Sequence, residues 1–111
     1  MSNETSIDEL AALLTEPYTH LELGQVNDHA AYVVRFKGDY PAHRHTKDEM
    51  YLVLEGEIKI GFLNQPTLTL KKGESAVVRA YTTHNPSSDS GALVLMVKPK
   101  EMFASRTDAE G

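Results

Sequence analysis

The stretch His43-Arg44-His45-Thr46-Lys47-Asp48-Glu49, running straight into Met50-Tyr51-Leu52-Val53-Leu54, decides how this chain is read. In an extended strand alternate side chains share a face. His43 and His45 therefore project the same way with Cα atoms about 6.6 Å apart, a spacing that lets two imidazole nitrogens converge on one ion. Glu49 follows after a short polar break, near enough to add an oxygen ligand from the next strand. A lone His84 late in the chain supplies a third imidazole. Three imidazoles and one carboxylate, with no thiolate, suit a divalent iron, manganese, nickel, copper or zinc ion. The ligand types alone do not choose among these metals.

Outward from this stretch the sequence keeps a period of two. Leu21/Leu23, 31–36, 49–54, 57–62, 67–70, 74–79 and 93–98 read as strands. Asn27-Asp28, Gly38-Asp39, Glu55-Gly56, Asn64-Gln65-Pro66, Lys72-Gly73, Asn85-Pro86 and Ser87–Gly91 punctuate them as turns. Many short strands at near-regular spacing in a chain of 111 residues make an all-β sandwich or barrel. Ile58, Ile60 and Phe62 alternate inward. Met50–Leu54 and Leu93–Val97 are apolar on both faces and call for cover on both sides. The period changes only near the N-terminus. There Ser6 with Glu9 resembles a capping box, and Ile7, Leu10, Leu13 and Leu14 fall on one helical face, with Pro17 closing the helix at Glu16. The expected organisation is an N-terminal helix over 1–17 packed on a single barrel domain over 18–99, then a polar tail over 100–111 in which Met102-Phe103 docks locally. The helix covers part of the second apolar face. The remainder predicts a partner subunit, hence a homodimer.

The length allows one hydrophobic core and not two. With no cysteine, disulfides, thiolate catalysis and zinc fingers are excluded together. A polar, acidic start and no apolar run near ~20 residues point to a soluble, cytoplasmic protein without a membrane anchor. A net charge of −5 with no Lys/Arg cluster argues against a nucleic-acid surface.

Taken together these residues resemble the cupins. The first cupin motif reads Gly, about five residues, His-X-His, three or four residues, Glu, six residues, Gly. This chain has Gly38, four residues, His43-Arg44-His45, three residues, Glu49, six residues, Gly56. The second reads Gly, five residues, Pro-X-Gly, two residues, His, three residues, Asn. Here it is Gly73, five residues, Arg79-Ala80-Tyr81, Thr82-Thr83, His84, with Ser88 where Asn would fall. Sixteen residues separate the two motifs, and the likeness spans roughly Val33 to Val97. It implies a double-stranded β-helix of the jelly-roll type, with His43, His45, Glu49 and His84 as ligands of one divalent transition metal. The departures, Arg79 for Pro and Tyr81 for the second Gly, bear on the turn before His84.

Four protein ligands leave two positions on a six-coordinate ion for water, dioxygen or a bidentate oxygen ligand. Tyr51 shares parity with Glu49 and is expected to line the interior. Arg79, at an apolar strand end, is a candidate partner for a substrate carboxylate or phosphate. The expected activity is that of a metal-dependent dioxygenase, isomerase or decarboxylase acting on a small oxygenated metabolite, with Tyr51 and Arg79 orienting it. The competing expectation is a non-catalytic cupin that binds or senses a small molecule or sugar. His20 and His29 lie outside both motifs and read as structural or exposed, and Lys47 and Asp48 as a solvated turn.

Overall fold

Helix α1 occupies Ile7–Leu13 in the computed structural model, which describes residues 4–100 and Met102. Ser6 caps it, its hydroxyl accepting the Glu9 N–H at 3.3 Å. Asp8 and Glu9 place negative charge at the positive end of the helix. The helix ends before Pro17 is reached, because Leu14 turns into extended geometry (φ −82, ψ 98). This turn buries Leu14 and leaves Leu13, expected on the same face, 68% exposed. Arg35 meets the carbonyls of the last turn, donating from Nε to Leu14 O and from a terminal nitrogen to Ala11 O. Ile7, Leu10, Ala11 and Leu14 then rest on Val33 and Leu93.

Six antiparallel strands follow: β1 His20–Val26, β2 His29–Asp39, β3 Glu49–Phe62, β4 Leu68–Lys71, β5 Ser75–Val78 and β6 His84–Pro99. They pair in the order β1-β2-β6-β3-β4, with β5 also on β3. The jelly-roll, all-β class expected from the periodicity and the motifs is the class observed. Two elements differ from the sequence reading. The turn expected at Glu55-Gly56 lies inside β3, and those expected at 85–91 lie inside β6. In each strand a glycine in the left-handed region, Gly56 at φ 84 and Gly91 at φ 101, bends the chain without ending its pairing. The register shifts around Gly56 as bulges, so the first half of β3 pairs with β5 and the second half with β4, while both pair with β6. A glycine that looks like a stop in sequence is a corner in space.

The inner face follows alternation, which changes parity in β3 at the Gly56 bulge. Tyr32, Val34 and Phe36 from β2, Tyr51, Val53, Ile58 and Ile60 from β3, and Val94 and Met96 from β6 form one buried cluster. On the outer face Val33, Leu54 and Leu93 lie under α1. Met50, Leu52, Leu95 and Val97 stay half-buried beyond it. At the end of the described chain, Lys100 N–H bonds to Asp28 O, and Met102 is buried with its N–H on Pro99 O. Phe103 lies outside the described residues. No described helix is long and apolar enough to cross a membrane.

The corner makes a sharp demand. A Cβ on Gly56 would collide with Gly91 O and sit 2.9 Å from Ala92 Cα, in a backbone conformation that L side chains avoid. Gly56→Ala is expected to cost at least ~2 kcal/mol. Gly24→Ala, where a Cβ meets nothing within 4 Å, is expected to stay within about 0.5 kcal/mol. Denaturant melts of the two variants check the contrast.

Candidate metal centre

Two loops are fastened together so that residues 31 and more positions apart in sequence meet. His43, between β2 and β3, forms an isolated bridge with His84 at the head of β6, each donating its N–H to the other's carbonyl at 3.0 and 2.9 Å. Tyr81 N–H donates to His45 O at 2.7 Å. Asp48 accepts the Ala80 N–H on Oδ1 (2.7 Å) and the Arg79 guanidinium on Oδ2 (3.0 Å). Lys47 and Asp48 are exposed, as a solvated turn requires, and Asp48 in addition clamps the turn that presents His84. In that turn Tyr81 stands where the motif has glycine and adopts φ 64. A non-glycine residue there costs about 1–2 kcal/mol, which the surrounding bonds must hold in place.

The four expected ligands converge. His43, His45, Glu49 and His84 are 6%, 2%, 2% and 1% exposed, and one ligand atom from each lies within 4.8 Å of all the others. Backbone carbonyls set the tautomers of two of them. His43 Nδ1 bonds to Pro41 O (2.8 Å) and His84 Nδ1 to Thr82 O (2.7 Å), so in the neutral rings both Nε2 atoms carry bare lone pairs. His84 Nε2 nevertheless sits 3.1 Å from Glu49 Oε1, and His45 Nε2 lies 3.5 Å from Glu49 Oε2. Two electron-pair donors at such range repel unless a proton or a metal ion lies between them. His43 Nε2, both ring nitrogens of His45 and Glu49 Oε2 are buried without a hydrogen-bond partner. Leaving three buried acceptors unsatisfied, one each on His43, His45 and Glu49, is costly, and a cation at their common point removes that cost. The donor set fits a divalent first-row ion.

Electrostatics prepare the same state. Burial lowers the pKa of His43 and His45, keeping both rings neutral at neutral pH. For Glu49 burial pushes upward, but the close His84 and His45 rings, Lys98 and the Tyr51 hydroxyl outweigh it and bring the carboxyl down to about 2. Neutral imidazoles and an ionised carboxylate are the forms that ligate metal.

Tyr51 is fully buried, as its parity predicts, and donates its hydroxyl to Glu49 Oε1 at 2.7 Å, so it touches the centre through a ligand. Arg79 is on the outside, its side chain 75% exposed and paired with Asp48. His29 is exposed. His20 is half-buried and inward, its Nε2 accepting from Lys98 Nζ at 2.9 Å. Lys98 escaped the sequence reading, although its parity with Val94 and Met96 places it on the inner face. A depression of about 140 Å³ between Ala42, Phe62, Leu63 and Thr83 reaches His84 from outside. It shares Phe62, Leu63 and Thr83 with a wider one of about 430 Å³ that adds Arg44, Gln65 and Tyr81.

A small β-roll with three histidines and one glutamate clustered at its mouth defines a class, and comparison with known proteins agrees. Residues 32–98 match the Cupin domain family, and the chain belongs to that family. It is 31% identical over 102 residues, 91% of this chain and 90% of the relative, to the uncharacterized protein YdbB of Bacillus subtilis (strain 168). Its fold is similar to that of a cupin-2 domain containing protein from Shewanella frigidimarina NCIMB 400 (TM-score 0.82, 24% identity, 86% of this chain and 94% of the other). It is also similar in fold to hydroquinone 1,2-dioxygenase PnpCD, solved with Cd2+ and 4-hydroxybenzonitrile (TM-score 0.74, 18% identity, 85% and 71%).

Because Tyr51 holds Glu49 while its ring fills the core, Tyr51→Phe is expected to keep the fold and weaken metal affinity about 10–100-fold, as read by competition with a chromophoric chelator. In the metal-free protein, pKa values of His43 and His45 below their unfolded value of 6.5 mean that the unfolded chain binds protons first. Stability is then full above pH 6.5 and falls as acid is added, and the titration of Glu49 extends the loss from 4.5 toward 2. Thermal melts across pH 7.5 to 4 are expected to show Tm level at the top of this range and declining below about 6.5. A Tm that rises on acidification would contradict the assignment.

Proposed function

We propose that this cupin is a small metal-dependent enzyme of the dioxygenase, isomerase or decarboxylase type, acting on a small oxygenated metabolite chelated at the His43, His45, Glu49 and His84 centre. The observation that carries it is four buried ligand atoms gathered within 4.8 Å, with His43, His45 and Glu49 each holding a polar atom that has no hydrogen-bond partner. A metal held there supplies Lewis acidity, stabilising negative charge that develops on a bound oxygen. The chain's own residues do the rest. Pro41 O and Thr82 O fix the two imidazoles that face each other, Tyr51 orients Glu49, and the barrel wall of Tyr32, Val34, Phe36 and Met96 excludes water. Arg79, which lines a neighbouring depression of about 320 Å³ with Phe62, Gln65 and Thr82, orients the outer end of a substrate from the rim.

A second reading, a non-catalytic module that binds or senses a small molecule, draws on one observation. The Tyr51 hydroxyl is committed to Glu49 and the Arg79 guanidinium to Asp48, so neither candidate substrate-orienting group stands unengaged. Recovery of a stabilising ligand chemically unchanged from every metal form would favour it.

A chain without cysteine fits a reducing setting such as the cytoplasm. The half-buried outer residues Met50, Leu52, Leu95 and Val97 support pairing with a second copy of the chain, the part of the two-faced strands that α1 leaves uncovered.

Elemental analysis of the purified protein is expected to show about one first-row ion per chain, lost in His45→Ala. A protein that is metal-free and cannot be loaded would end the enzyme reading. Light scattering at micromolar concentration is expected to give twice the chain mass, and a monomer would remove the pairing.

A further inference from the structure

Inside the barrel, next to the four ligands, stands a second polar centre with no part in holding a metal. Lys98 is 0% exposed. It follows Val94 and Met96 on the inner face of β6, where the alternation of this wall calls for another apolar side chain. The pairing of Met50 with Val97 sets the next residues, Glu49 and Lys98, side by side on adjacent strands, both facing inward. The Lys98 ammonium donates to His20 Nε2 at 2.9 Å and lies 5.7 Å from the centre of the Tyr32 ring. His20 is braced from behind by its Nδ1 bond to Tyr18 O and edge-on against Tyr32. Burial, with Lys98 beside it, pushes the His20 pKa down to about 4, so the ring accepts from the ammonium as a neutral base.

Burying an ammonium costs several kcal/mol, and a Met or Leu at this position would complete the core without that cost. Local sequence rules are broken in this way where a site needs the group. The lysine is also close to the chemistry, since the register sets it directly across from Glu49.

We propose that the Lys98 ammonium, presented on the inner face of β6 beside Glu49 and aimed by His20, selects the ligand of this barrel as a small organic acid whose oxygens span the His43, His45, Glu49 and His84 centre and Lys98. The proposal rests on the metal reading above for the far end of that span and narrows "oxygenated metabolite" to a carboxylate. His20 and Tyr32 are positioning residues that hold the lysine on this wall. Lys98 is the binding group.

The test compares acids with their neutral counterparts. Wild type and Lys98→Met, each metal-free and Mn2+-loaded, are titrated calorimetrically with acetate, pyruvate and benzoate, and with acetamide, pyruvamide and benzamide. Bound metal is measured separately on the same samples. At least one acid is expected to bind wild type about tenfold or more tightly than its amide, the range of a charge-assisted hydrogen bond. That preference, weaker but present without metal, is expected to collapse to near unity in Lys98→Met while metal content stays unchanged. Lys98→Gln serves if the Met variant does not melt cooperatively, and Lys98→Arg, which keeps the charge, is expected to retain the preference. Failure to load metal would remove the metal reading alone, because the metal-free arm still tests Lys98. Equal binding of acids and amides, no binding of any probe in either form, or an acid preference that survives in a folded Lys98→Met protein would overturn the proposal.

Discussion

Four electron-pair donors held within 4.8 Å of each other in a space closed to water are the constraint around which this protein is built. Left to themselves, bare imidazole nitrogens and a carboxylate repel and want solvent. The fold denies them both separation and hydration. Carbonyls of Pro41 and Thr82 fix two rings from behind, and the Tyr51 hydroxyl fixes the carboxylate. The backbone bridge between His43 and His84 and the Asp48 clamp on the turn at 79–80 stop the two loops from drifting apart. So much supporting structure around a repulsive cluster is what a cation site needs in order to be preorganised, since the rings of His43 and His84 are already held with Nε2 free to ligate.

The strands make this convergence possible by refusing to stop. Had β3 ended at Gly56 and β6 at Gly91, Glu49 and His84 would belong to separate hairpins with no fixed relation. Instead both glycines bend continuous strands, and their close approach, Gly56 against Gly91 and Ala92, pins the corner. The sheet folds over so that residues from opposite ends of the domain face each other across one interior. Helix α1 covers one patch of the outer face, and Arg35 holds it there by its last carbonyls.

The interior is not uniformly apolar, and its polarity is graded. Tyr32, Val34, Phe36 and Met96 form a dry wall. At one end of it lie the four ligands, with Lys98 and His20 beside them. Glu49 experiences both sets, held ionised by an imidazole, a hydroxyl and an ammonium against the pull of burial. Charges placed this close in a low-dielectric space fix each other's protonation state more firmly than any of them would be fixed in water.

The sequence by itself determined the all-β class, the pairing of His43 with His45 on one face and the inward residues, because His-X-His spacing and period-two alternation are local properties of an extended chain. Glu49, Tyr51, Ile58 and Ile60 could be placed on the inner face by counting alone. Tertiary structure decided what counting cannot reach. Leu13 leaves the buried face while Leu14 keeps it, because the helix ends where Arg35 meets it. Gly56 and Gly91 are corners, since only a partner strand on each side makes a glycine bend pairable. Asp48 becomes a clamp and Arg79 its partner because a turn from 31 residues away lies against them. Lys98 shows the division most clearly: its parity was legible, but whether a lysine at the end of a strand bends out to water or stays inside depends on what stands opposite, and only the closed roll brings His20 there.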